Sequence, residues 1–317
     1  MYSILKPIVR LALLFYTKKV SVTFDEETTF TNPKIIACNH PNSFFDAIII
    51  AIFYPKPIYF LARGDAFKKP LFAKILKSIR LIPIYRISEG RSNLTKNEDT
   101  FKLCLSLLKK GATILIFSEG ICVNEWKLRN LKKGTARLAF MAIIAGIKNI
   151  KIQPTNINYA SFVEIPKKIV LHFNKEFEVA SIVYAKETEF YTKFNTTLKK
   201  GIEKNLITEE NKSSIQLHFK KNQTLSKILL SIPAFLGWVT QKWFYNSIKN
   251  YVRKKTQHTV FYDSVLFGAL LVTYPLFVLL ISILIGLFFG FNAFLISFIL
   301  LPLLAYCYKM YKTISLY

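Results

Sequence analysis

The chain has 317 residues, 52% of them hydrophobic, with four cysteines and 44 Lys+Arg against 19 Asp+Glu, a formal charge of +25. This is long for one soluble domain and short for two, and so few cysteines exclude a dense disulfide framework. The charge calls for an anionic partner, either nucleic acid or the anionic face of a membrane; no zinc spacing, stacking-aromatic signature or recognition-helix pattern supports nucleic acid.

Ile4, Ile8, Leu11 and Phe15 recur at helical spacing among Lys6, Arg10, Lys18 and Lys19. This predicts a helix over residues 1–20 that lies in the membrane interface or docks on the protein's own core. The stretch MYSILKPIVRLALLFYTKK lacks a small-residue cleavage site and is not read as a signal peptide. SVTFDEETTF has strand composition, NPKIIACNH reads as a short buried strand, and SFFDAIIIAIFY as an apolar helix. KPIYFLARGDAF gives a second core strand, and KKPLFAKILKSIRLIPIYR a helix followed by a short strand bearing Arg86. Residues 88–99 are expected to form a polar loop. TFKLCLSLLKKG reads as an amphipathic helix ended by Gly111, since glycine suits the residue after a helix. ATILIFSEG is a buried strand with Ser118, Glu119 and Gly120 at its polar end. A basic loop, the helix TARLAFMAIIAG and strands in IKIQPTNINYA and KKIVLHFNKEFEV complete this part.

Strands alternating with helices predict an α/β domain over residues 21–180, a mostly parallel or mixed central sheet flanked by helices. In such sheets ligands sit beyond the carboxyl ends of the strands. His40 and Glu119 both fall there, so two polar clusters far apart in the chain share one edge.

Residues 181–262 read as a basic helical region. From Ser264 to Tyr308 there is no charged residue, and a bilayer pass takes about 20 apolar residues. A transmembrane or re-entrant helical hairpin is therefore predicted over residues 263–308, with a basic tail at 309–317. Arg253, Lys254 and Lys255 precede it and Lys309 and Lys312 follow it, which by the positive-inside rule turns both ends and the catalytic domain to the cytoplasm. Cys38, Cys104, Cys122 and Cys307 show no metal-ligand spacing, consistent with a reduced compartment and no bound metal.

A histidine titrating near neutrality can take a proton from an alcohol, and a carboxylate that fixes its tautomer improves it. His40 and Asp46 flank a strand-to-helix turn that also holds Asn39, Asn42 and Ser43. Taken alone, the pair fits better an ordinary first-turn carboxylate and a satisfied turn histidine.

The pair is not alone. NHPNSFFDA, LIPIYR, IFSEGICVNEWKLRNLKKGTARLA and IQPTNINY occur in that order between about Pro33 and Val179. They resemble the four motifs of the glycerolipid acyltransferase family, which contains lysophosphatidate and glycerol-3-phosphate acyltransferases. In that family four residues usually separate the histidine from the aspartate; here five do, with Phe45 in the usual aspartate position. The resemblance implies that His40 is the general base and Asp46 orients it. It implies that Arg86 grips the acceptor phosphate, a bidentate task suited to guanidinium. Glu119 and Gly120 match the third motif, Ser118 replaces its proline, and its usual arginine is missing; Lys127 and Arg129 lie a few residues on. Lys132 and Lys133 match the basic pair before Gly134, and Pro154 is implied to shape the apolar wall of an acyl site. The plainer readings are a solvated charge for Arg86, a structural ion pair for Glu119 and a strand-edge proline for Pro154.

The function implied is transfer of a fatty acyl group from a thioester, acyl-CoA or acyl-carrier protein, to a hydroxyl of lysophosphatidate, without a cofactor or a covalent enzyme intermediate. Glycerol-3-phosphate or an amino-acid lipid is the alternative acceptor. A catalytically inactive membrane lipid-binding scaffold is the alternative of another class. Membrane lipids are the expected partners and nucleic acid is not one.

Overall fold

The protein is described from a computed structural model over residues 1–31, 33–85, 96–211, 215 and 224–315. Helix α1 (Tyr2–Tyr16) leads into β1 (Thr17–Phe24), β2 (Lys34–Cys38), α2 (Phe44–Phe53) and β3 (Ile58–Arg63). Next come α3 (Pro70–Ser78), β4 (Leu81–Ile84), α4 (Lys96–Lys109), β5 (Thr113–Phe117) and α5 (Lys133–Ile144). Strands β6 (Lys151–Tyr159), β7 (Lys167–Phe173) and β8 (Phe177–Glu178) are followed by α6 (Glu187–Glu203). Three long helices end the chain: α7 (Thr224–Lys255), α8 (Tyr262–Phe289) and α9 (Phe291–Ser315).

The strands form one mixed sheet in the order β1-β7-β6-β2-β5-β3-β4, with β8 also on β6. Only the β6–β7 and β6–β8 pairs are antiparallel. All of β2 is buried, and its side chains alternate between two cores because successive residues of a strand face opposite ways. Ile36 and Cys38 join α1, α2 and the start of α8 on one face; Ile35 and Ala37 join α4, α5 and α6 on the other. The expected α/β architecture is therefore the observed one.

Two local expectations shift. Residues 96–99 begin α4 rather than belonging to a loop, with Glu98 and Asp99 in its first turn, where carboxylates favour the positive end of the helix dipole. The short strand β4 stops at Ile84, and Arg86 lies outside the described residues.

Helix α1 reconciles its two predicted settings. Leu13 and Tyr16 are buried in the core, while Ile4, Ile8, Leu11 and Leu14 stay exposed. Phe15 packs edge-on against Tyr306, ring centroids 5.9 Å apart. Helices α8 and α9 are each long and apolar enough to cross a membrane and join at Gly290, whose φ of +88° a residue with a side chain would resist. Helix α7, in the region read as basic, exposes Ile228, Leu229, Ile232, Phe235 and Trp238 and packs along α9. At their crossing a Cβ on Gly237 would overlap the carbonyl of Leu304, the close approach that small residues permit between helices. Gln241 donates to the Leu301 carbonyl at 2.6 Å and accepts from the Tyr274 hydroxyl at 2.8 Å. Gly237→Ala is expected to force the helices apart and cost about 1–3 kcal/mol, the usual penalty of overpacking, read as a lower unfolding temperature of the purified chain in detergent.

Candidate active site

Strands β2 and β5 are parallel neighbours with Cys38 opposite Phe117, so the residues that follow them, His40 and Glu119, emerge side by side. Glu119 spends both carboxylate oxygens on backbone: Oε1 accepts the His40 N–H at 2.8 Å and Oε2 the Arg129 N–H at 3.2 Å. The side chain of Asn39 does the same on the other side, donating to the Ile157 carbonyl at 3.0 Å and accepting its N–H at 2.9 Å. The start of the turn is thus pinned to both flanking strands.

His40 Nδ1 lies 2.9 Å from Asp46 Oδ2, and its ring stacks on Phe117 with centroids 3.8 Å apart. Asp46 is wholly buried, and an ionised carboxylate survives burial only when its oxygens are hydrogen-bonded. Here Oδ2 also accepts the Asn42 N–H at 2.8 Å, and Oδ1 accepts the Tyr159 hydroxyl at 2.7 Å. Burial, reinforced by the charge of Asp46, pushes the Tyr159 phenol well up, so it remains a donor. With Asp46 acting as the acceptor, Nδ1 of His40 carries the proton and Nε2 keeps its lone pair. His40 is the partly open member of the pair, its side chain 14% exposed.

The extra residue in the motif is absorbed at Ser43, whose φ is +55°, a left-handed conformation uncommon for a residue with a Cβ. That twist buries Phe45 in the core against Tyr16 and Phe267 and brings Asp46, one position later, back to the imidazole. The Ser43 N–H is accepted by Cys122 Sγ at 2.8 Å. The metal-ligating atoms of His40, Asp46 and Cys122 lie within 4.8 Å of one another, but both oxygens of Asp46 already serve three donors, and we assign no ion to them.

The remaining residues of the motifs divide. Ser118, in place of the usual proline, shares a hydrogen bond of 2.9 Å with Thr135. Gly120 turns with φ +67° beneath the Lys132 side chain, and the Lys132 N–H donates to the Ser118 carbonyl at 2.8 Å. The side chains of Lys132 and Lys133 are exposed at the start of α5. Neither Lys127 nor Arg129 directs its cationic group at Glu119; the Arg129 guanidinium pairs with Glu125, and Lys127 lies 3.4 Å from the same carboxylate. Glu119 is accordingly no side-chain ion pair among the described residues. Pro154 is inside the sheet, not at its edge, opposite Ala37 of β2. Its carbonyl accepts from the Asn174 N–H at 2.8 Å in the gap between β7 and β8, so its missing N–H falls where the ladder is interrupted. The ring lies against Gly201 of α6, on the opposite side of the sheet from the dyad's core.

Sequence reasoning missed the outer supports of the turn. Asp263, at the start of α8, is fully buried. It accepts the Asn42 side-chain N–H at 2.7 Å and the Tyr16 hydroxyl at 2.9 Å, and it pairs with the buried ammonium of Lys167. Next to it, Ser264 Oγ accepts the Phe45 N–H at 3.0 Å. The one available signal was that Asp263 is the sole acidic residue after Glu210.

Burial raises the Glu119 carboxyl above its ordinary value of 4.5, and the two backbone N–H bonds oppose that rise without cancelling it. A group of this kind contributes most below pH 4.5 and progressively less as pH climbs through its raised value. Glu119→Ala is expected to strand two backbone donors at about 1–3 kcal/mol each and to remove that pH slope. Denaturation midpoints of the two proteins measured across acidic pH check both effects.

Residues 19–158 match the family described as Acyltransferase. A chloroplastic 1-acyl-sn-glycerol-3-phosphate acyltransferase of Arabidopsis thaliana is 30% identical over 107 residues, 34% of this chain and 28% of that protein. The chain thus aligns with little more than a quarter of that relative. The crystal structure of the 1-acyl-sn-glycerophosphate acyltransferase PlsC from Thermotoga maritima aligns with a TM-score of 0.47 at 14% identity, over 70% of this chain and 81% of that one. The dyad turn thus lies within the residues that match the acyltransferase family, and its motifs resemble those of the glycerolipid members.

Proposed function

We propose that the chain transfers a fatty acyl group from a thioester donor to the free hydroxyl of lysophosphatidate at a membrane surface. The observation that carries this is the contact between His40 Nδ1 and Asp46 Oδ2 at 2.9 Å, which leaves Nε2 free to take a proton. Nε2 removes the proton of the acceptor hydroxyl as its oxygen attacks the thioester carbonyl. The carbon–sulfur bond then breaks, and the departing thiolate takes the proton from the imidazolium, so that an ester and a free thiol leave. Asp46 stabilises the imidazolium in between. Atoms balance without a cofactor or an enzyme-bound acyl group.

Acyl-CoA and acyl-carrier protein both supply such a thioester. Arg86 is proposed to bind the acceptor phosphate, with Lys132 and Lys133 adding positive charge beside Gly120 and Lys127 and Arg129 lying on the loop between. The two long apolar helices and the exposed apolar residues of α1 and α7 support a site held at the bilayer. The Lys and Arg residues flanking the hairpin favour the cytoplasmic side for that site. The longer histidine–aspartate spacing keeps glycerol-3-phosphate as the second acceptor.

Purified wild type and His40→Ala, each incubated with a labelled acyl-CoA or acyl-carrier protein and a panel of lysophosphatidate, glycerol-3-phosphate and an amino-acid lipid, test the reading. Ester formation on lysophosphatidate by wild type alone is expected. Wild type that binds the lipids but esterifies none of them would instead favour the scaffold.

A further inference from the structure

A cavity opens away from the dyad. It has a volume of about 660 Å³ and is walled by the loop after β6, the last turns of α7, the turn into α8 and one residue of α9. Lys168, Lys249, Arg253 and Lys312 line it together with His258, and the one carboxylate among its walls is Glu164. No residue of the dyad turn contributes.

Two features make this more than a solvated basic surface. Lys249 and Arg253 stand one turn apart on α7, where like charges repel, and neither is in an ion pair among the described residues. The cavity also sits at the ends of the two apolar helices. Tyr262, in its wall, opens the first of the two apolar helices, and Lys312, also in its wall, closes the second. Cationic groups gathered where such helices leave the bilayer meet lipid headgroups first.

We propose that this cavity is a second lipid site, binding the phosphomonoester headgroup of an anionic glycerolipid. Lys249 and Arg253 carry the contact. A phosphomonoester holds close to two negative charges near neutrality, which suits four cations facing one carboxylate. A guanidinium beside an ammonium supplies forked and point-like donors to its oxygens. The cavity wall continues directly into the active-site supports: Lys168 follows Lys167, and Tyr262 precedes Asp263, the buried pair that holds Asn42. This inference concerns binding and does not depend on which acyl acceptor is used.

The experiment is equilibrium dialysis of the full chain in neutral detergent against labelled dioctanoyl phosphatidate, with dioctanoyl phosphatidylcholine, glycerol-3-phosphate and inorganic phosphate as separate arms. No acyl donor is present, so the result is independent of turnover. The expected result is saturable phosphatidate binding whose dissociation constant rises at least tenfold in Lys249→Gln/Arg253→Gln. Lys199→Gln/Lys200→Gln, on the distant helix α6, should leave it unchanged. Both altered pairs are outside the core, and an unchanged unfolding temperature verifies the fold. Phosphatidate binding unaffected by the cavity substitutions, or equally reduced by the control pair, would overturn the site. Equal binding of inorganic phosphate or of phosphatidylcholine would overturn the assignment to a phosphomonoester lipid.

Discussion

His40→Ala should lower acyl transfer about 10²–10⁴-fold, the range supplied by a positioned general base, while leaving the protein folded and its two long apolar helices intact. The side chain is partly open and hydrogen-bonds through Nδ1 to Asp46, so its removal leaves a small gap beside Phe117 and not a hole in the core. Asp46→Asn should bring a loss of similar size by another route. An amide offers one acceptor oxygen where Asp46 now serves His40, the Asn42 N–H and the Tyr159 hydroxyl with two. Its NH₂ group must face one of those donors. If it faces His40, the favoured tautomer places the proton on Nε2, the atom that has to accept one. Initial rates with a saturating donor, alongside unfolding temperature and sedimentation with membranes, separate lost chemistry from lost structure. Undiminished turnover by His40→Ala would refute the mechanism.

Asp263→Ala should produce the largest loss of stability. It strands the ammonium of Lys167, whose side chain is 1% exposed, and breaking one side of a buried ion pair costs about 3–5 kcal/mol. It also frees the Asn42 and Tyr16 side chains, so the dyad turn should loosen and activity fall with stability. Lys167→Met in the same chain removes the stranded charge and should recover most of the stability, because an apolar pair can replace a buried ionic one, but not the anchor of Asn42. Stability regained without activity is the outcome that marks Asp263 as a positioning residue; recovery of both would make it only structural. The pH dependence has a definite sign. Burial lowers the Lys167 ammonium below 10.5, with Asp263 opposing that shift. The unfolded chain then binds more protons than the folded one as pH rises through the lowered value toward 10.5, and stability rises over that window. Without the Asp263 carboxylate nothing at that position opposes the shift, so the rise in Asp263→Ala should begin at lower pH.

What could be read directly from the residues was what is local. The alternation of apolar strands and helices gave the α/β sheet, because hydrophobic periodicity reports the face an element buries. The uncharged run from Ser264 to Tyr308 gave the two long apolar helices, since length and composition alone decide that property. His40 and Asp46 could be paired because one turn separates them, and His40 and Glu119 could be set on one edge because both follow parallel strands. Tertiary structure alone decided how the pair is supported. Tyr159, Asn42, Cys122 and Asp263 meet around a turn from positions up to 221 residues apart, and no periodicity in a chain encodes a contact over that distance. The backbone bonds of Glu119 went unread for the same reason: they are made to N–H groups, which every residue but proline possesses and which no side-chain pattern reveals. Ser43 shows the limit most plainly. The motif displays one residue too many, and only the folded turn, with its left-handed twist, shows where the surplus goes and why Phe45 is core while Asp46 faces the imidazole.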